Sequence, residues 1–158
     1  MTPEAFTKLV QNHSKFRFFL ISRLPMAWIA GLRVKHFDEN RCEVTIPYKY
    51  LTKNPFRSIY FAAQSMAAEL STGLFCFRYA QLGTPQVSML VVKMESKFYK
   101  KAKGVITFSC EMGDSVRTIV ETAKQSGDSY ELDMISTGRN TEGEVVSEFL
   151  IRWSFKRK

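Results

Sequence analysis

One stretch limits the fold of this chain more than any other. Between Arg57 and Arg78 only Glu69 carries a charge. From Phe56 to Phe77 the apolar residues recur with helical spacing, and many positions are small: Ala62, Ala63, Ser65, Ala67, Ala68, Ser71, Thr72 and Gly73. A helix that is apolar all round belongs in an interior. Small side chains let neighbouring backbones approach it closely. The pattern therefore predicts a central helix over 56–77, with the rest of the chain wrapped about it.

The flanking segments supply the wrapping. Thr2, Pro3 and Glu4 form a helix start of cap, proline and acid. The stripe Phe6, Leu9, Val10, His13 and Phe16 predicts one helix from Pro3 to about Ser22, ended by Pro25. After Gly31 the period becomes two. Strands are expected over Leu32–Phe37, with Leu32, Val34 and His36 on one face, and over Cys42–Tyr48, joined by the turn Asp38-Glu39-Asn40. Val87–Phe98 and Val105–Met112 read as strands, Asp114–Ser126 as a short helix or irregular crossover, and Tyr130, Leu132 and Met134 as a further strand. On the last strand Phe149, Ile151, Trp153 and Phe155 share a face. No linker or repeat interrupts the 158 residues. The expected class is α+β: one domain over 1–158, with a curled antiparallel sheet around one long helix and an N-terminal helical segment over 1–25.

Net charge is +8, which favours an anionic partner: nucleic acid, an acidic membrane surface or a phosphorylated small molecule. No nucleic-acid motif or aromatic–basic interleaving on one strand supports the first. Arg17, Arg23 and Pro25 interrupt the apolar run from Phe16 to Leu32, so it does not span a bilayer. Neither nucleic acid nor membrane is expected as a partner. Cys42, Cys76 and Cys110 are too few and scattered for a disulfide framework. With no basic leader after Met1, they read as reduced thiols of a cytoplasmic protein. No metal-ligand cluster, glycine-rich phosphate loop or serine elbow is present.

Glu69 is the candidate for chemistry. A carboxylate inside an apolar helix is costly to bury, so it is paired, faces water at the helix edge, or is used. His13 and His36 lie on other elements and read as structural.

The order of elements, the segment Asn54-Pro55-Phe56-Arg57-Ser58-Ile59-Tyr60-Phe61-Ala62-Ala63 and the following Glu69 resemble the hotdog-fold thioesterase superfamily. More narrowly, the chain resembles the family of unknown function numbered 4442, which groups with the phenylacetate-pathway type of acyl-CoA thioesterases. In those enzymes the central helix follows an asparagine, opens with a histidine and two glycines, and carries an acid nine residues after the histidine. Asn54 matches the asparagine and Glu69 the acid; Tyr60 stands for the histidine, and Phe61 and Ala62 for the glycines. The resemblance implies a hotdog homodimer with antiparallel central helices, the acid of one subunit facing the helix start of the other. Whether two such dimers associate into a tetramer is left open. Glu69, Asn54 and Tyr60 are then the catalytic candidates, and the backbone N–H groups of Phe61 and Ala62 the oxyanion donors. Gln64 and Ser65, with Ser71, are candidates for orienting water or substrate. Phe61, Met66, Met89 and Phe98 are candidate acyl-tunnel walls. Lys97, Lys100, Lys101 and Lys103 are candidates for the phosphates of coenzyme A, which enters as part of the substrate and not as a cofactor; Lys93 belongs to the same basic run. An acyl-carrier thioester is the alternative substrate. The departures at Tyr60, Phe61 and Ala62 keep a second reading open, a hotdog protein that binds acyl chains or acyl-CoA without turnover.

Overall fold

The computed structural model describes residues 1–82 and 84–158. The N-terminal segment forms three helices: α1 (Pro3–Gln11), α2 (His13–Arg23) and α3 (Pro25–Ala30). The single helix expected over Pro3–Ser22 is broken at Asn12. Its side chain accepts the Lys15 N–H at 3.0 Å and caps α2, while its own backbone is extended. An asparagine oxygen at that spacing satisfies one of the free donors of a helix start, and here it outweighs the continuous apolar stripe. Pro25 stops α2 and also opens α3, where its missing N–H costs nothing. Gly31, with φ 81°, closes α3 in the left-handed region.

A six-stranded sheet follows: β1 (Arg33–Phe37), β2 (Cys42–Pro47), β3 (Val87–Phe98), β4 (Val105–Cys110), β5 (Ser129–Arg139) and β6 (Val145–Arg157). All its pairings are antiparallel, in the order β1-β2-β4-β5-β6-β3. A bulge between Val34 and His36 shifts the register of β1. It turns Phe37 inward and leaves His36 outside beside Asp38, at 2.7 Å, against the simple alternation.

Helix α4 (Phe61–Cys76), continued by a π-helical turn over Phe77–Gln81, lies on the concave side against β2, β4, β5 and β6. It starts five residues later than expected. The Asn54 side-chain oxygen accepts from the N–H of Phe56 and of Ser58 and from the Ser58 hydroxyl, holding 54–58 in a tight turn. Arg57 takes φ 58° there, outside helical space. The core between helix and sheet is apolar: Ala67, Leu74 and Phe75 meet Phe37, Ile46, Phe108, Met134, Phe149 and Ile151. Its polar groups are satisfied in place. Trp153 Nε1 donates to Thr72 Oγ1 at 3.0 Å, the Ser71 and Ser136 hydroxyls meet at 2.7 Å, and Ser147 Oγ donates to Gln64 Oε1 at 2.9 Å. Cys42, Cys76 and Cys110 are buried free thiols. Cys42 and Cys110 face each other across β2 and β4.

Helix α5 (Gly113–Ser126) packs against β5 and β6. Its first residue sits on the β1–β2 turn: Gly113 N–H donates to the Asn40 carbonyl at 3.3 Å. A Cβ at 113 would stand 1.9 Å from the Glu39 carbonyl oxygen. Buried Arg78 ties the same turn to the π-helical segment through Glu39 Oε1 at 3.0 Å. No helix is long and apolar enough to cross a membrane, among the described residues.

Candidate active site

The side of α4 turned from the sheet carries Ala62, Ser65, Met66 and Glu69, all only partly buried. Their spacing of three, four and seven residues puts them on one stripe. Toward the end of α4 this stripe is roofed by the N-terminal helices. Beneath the roof lies a cavity of about 410 Å³. Leu70, Leu74 and Phe77 line it from α4 and its continuation, Phe6, Phe19 and Leu24 from the roof, and Met89 from β3.

The Glu69 carboxylate opens into this apolar space. Among the described residues no donor or cation pairs with it; Arg23 lines the cavity but forms no ion pair with it. Burial pushes its carboxyl pKa up from the ordinary value. Gly73, one turn further, makes room for it: a Cβ there would stand 3.1 Å from Glu69 Oε1 and 3.3 Å from the Trp153 ring. Sequence reasoning placed Gly73 among the small helix positions and Trp153 on one face of the last strand, but assigned neither to the site. A glycine four residues after the only charge of an apolar helix was the available signal.

A second concavity, of about 380 Å³, lies at the start of α4. Asn54, Phe61, Gln64, Phe98, Lys100 and Lys101 all line it. Phe61 and Ala62 are the first two helical residues, so their N–H groups have no carbonyl within the helix to bond. No other acceptor meets them among the described residues, and the helix dipole adds positive potential there. Tyr60 is the exposed N-cap, its ring edge-on to Phe61 at 4.8 Å, and its side chain makes no capping bond. Asn54 uses its oxygen on the turn. Gln64 uses both ends of its amide, on Ile59 and Ser147. Ser65 donates to the Phe61 carbonyl at 3.0 Å and Ser71 is buried against Ser136. Lys100 pairs with Glu144. Lys97, on β3, and Lys103, before β4, line neither space, and neither does Met66.

One chain thus brings the oxyanion candidates together with two lysines, and Glu69 together with Met89, but it does not bring the two groups together. Eight residues of helix, or about 12 Å, separate Phe61 from Glu69.

A curled antiparallel sheet in this strand order, closed around one helix, is the hotdog fold. Solved structures share it along nearly their whole length. A protein of unknown function from Pseudomonas aeruginosa, described as a probable thioesterase, superposes with a TM-score of 0.76 at 20% identity, over 92% of this chain and 96% of that one. A protein of unknown function from Chlorobaculum tepidum superposes with a TM-score of 0.79 at 15% identity, over 99% and 98%. A thioesterase from Haemophilus influenzae gives 0.66 at 12% identity, over 92% and 91%. At these identities the likeness is one of fold. The chain itself belongs to the family described as domain of unknown function DUF4442, whose profile matches residues 12–155. No functionally curated protein matches the sequence.

Proposed function

We propose that this protein hydrolyses acyl thioesters, with acyl-CoA the substrate of first choice and Glu69 the reacting carboxylate. The observation that carries the reading is a carboxylate without a cation partner among the described residues, opening into an apolar cavity. A group held in that way has its basicity raised and its carboxylate free for a proton or a carbonyl carbon. As general base it removes a proton from water as the water oxygen bonds to the thioester carbonyl. Negative charge then develops on the carbonyl oxygen, where the Phe61 and Ala62 N–H groups of a helix start can receive it. The C–S bond breaks, and the thiolate leaves and takes up a proton. Direct attack by the carboxylate through an anhydride reaches the same products.

The acyl portion is apolar in this reading, since the space beside Glu69 is walled by aliphatic and aromatic side chains. Release of free thiol from a panel of acyl-CoA thioesters tests it. Medium-chain or aromatic acyl groups are expected to turn over faster than acetyl. Absence of thiol release across the panel would leave the second reading, acyl-CoA binding without turnover. That reading draws on the bulky Phe61, exposed where the related motif has glycine.

Because Glu69 and the helix start are separated within one chain, the reading requires a homodimer. β3 is a sheet edge with β6 its neighbour on one side. It exposes Leu90, Val92 and Met94, and an apolar edge strand of this length invites pairing with a second copy. Sedimentation at micromolar concentration is expected to give a dimer. A monomer would remove the shared site.

A further inference from the structure

The N-terminal helices carry a second surface unrelated to hydrolysis. From Ala5 to Phe37 the sequence contains Lys8, Lys15, Arg17, Arg23, Arg33 and Lys35 and no acid, and of these Lys35, on β1, is paired with Glu43 and stands apart from the rest. Six of a basic chain's 23 cations are common enough on a solvated face. The apolar content of the same surface is not. Helix α2 buries Phe16 and Leu20 beneath it, yet its outer side holds Phe18, 74% exposed, and Ile21. Helix α3 buries Ala27 and Ala30, while Met26 is 64% and Trp28 40% exposed, with Ile29 beside them. Arg17, Arg33 and Lys49 surround one concavity of about 330 Å³ floored by Trp28, Ile29 and Leu51, with no acid in its lining. Lys49 Nζ is held there by the Ile29 carbonyl at 2.7 Å.

We propose that this face docks on the surface of an anionic lipid bilayer. Apolar side chains enter the headgroup region, tryptophan sits at the boundary, and the arginines and lysines meet lipid phosphates. The lack of a membrane-spanning segment, on which the sequence expectation of no membrane partner rested, has no bearing on surface docking. Two other occupants fit less well. A second copy joined through this face by a twofold axis would set the cationic patch against itself. Nucleic acid would use the cations but not the exposed Ile21, Met26 and Ile29. The face lies by β1, at the opposite edge of the sheet from β3, so a dimer through β3 leaves it open. Arg23 and Leu24 link it to the cavity beside Glu69.

The test uses the whole protein and vesicles of phosphatidylglycerol and phosphatidylcholine in equal parts, with phosphatidylcholine vesicles as control. The protein is expected to sediment with the anionic vesicles, to be released by salt, and to ignore the neutral ones. Tryptophan emission should shift to the blue through Trp28, since Trp153 is only 3% exposed and already bonded to Thr72. Arg17→Ala with Arg33→Ala should weaken binding roughly 25-fold, about fivefold for each cation lost. Phe18→Ser with Met26→Ser should abolish the stable complex at unchanged Tm, as both side chains are on the outside. Failure to bind anionic vesicles at low salt overturns the proposal. So does binding that neither pair of substitutions weakens, dissociation of an oligomer by those substitutions, or retention on DNA without retention on vesicles. None of these outcomes depends on thioester hydrolysis.

Discussion

Replacing Glu69 with glutamine is expected to lower kcat for thioester hydrolysis by about two to four powers of ten, the usual share of a positioned base. Glutamine is nearly isosteric, so fold and dimer persist. The expected change in stability has the opposite sign. Burial raises the folded-state pKa of Glu69 above 4.5, its ordinary value. A carboxyl with a raised folded pKa favours folding fully below the unfolded pKa, and that contribution is lost as pH rises through the folded value. At neutral pH the charge therefore opposes folding. Glu69→Gln removes the opposition and should melt at or above the parent temperature, with the difference closing below pH 4.5. A carboxylate serving as half of a buried ion pair would behave otherwise: its loss would cost about 3 kcal/mol or more. In the parent, kcat/KM should climb with pH through a value above 4.5 as the base ionises, and that limb should be missing from the variant. A variant as active as the parent would remove Glu69 from the mechanism.

The largest effect on stability is expected far from the site, at Gly113. A methyl group there would stand 1.9 Å from the Glu39 carbonyl oxygen and 2.7 Å from the Asn40 Cα. Both are backbone atoms, so no side-chain rotation relieves the contact, and the start of α5 must lift off the β1–β2 turn. The Gly113 and Asp114 N–H groups then lose their Asn40 acceptors. Gly113→Ala should cost about 3 kcal/mol, the upper end for overpacking, which is roughly 6 to 12 °C in Tm for a chain of this size. Thermal unfolding followed by circular dichroism measures it. A Tm within about 2 °C of the parent would mean that the turn yields freely.

Strands were the most legible elements. The bounds of β3 are those expected, Val87 to Phe98, and Phe149, Ile151, Trp153 and Phe155 on β6 are all buried as a set. The central helix was legible as an element because one charge in twenty residues leaves little choice. Its start was not, because a single Asn54 oxygen with three donors overrides a helical apolar period. The N-terminal break at Asn12 has the same cause: a local side-chain bond beats a stripe. The bulge in β1 moves burial from His36 to Phe37, and period counting passes over such an insertion. At the site, Glu69 stood out by its isolation. Of the wall facing it only Met89 was among the candidates; Phe19 on α2 and Leu24 at the α2–α3 junction were not, since their meeting with Glu69 depends on how the N-terminal helices dock. The polar side chains near it in sequence were harder still. Gln64 and Ser71 differ from substrate ligands only in having partners, Ser147 and Ser136, that lie more than sixty residues away.

The three thiols in the core have a practical bearing on the chemistry proposed for Glu69. Cys42, Cys76 and Cys110 are all but inaccessible, and burial pushes them up, Cys110 to about 12. A thiol is nucleophilic as its thiolate, so the folded protein is nearly silent toward a disulfide dye. Coenzyme A released by hydrolysis would then be counted against almost no background. The same dye, added as denaturant rises, would report three thiols as the sheet separates from α4. The reagent that reads turnover in the native protein thus reads opening of the core once the native state is lost.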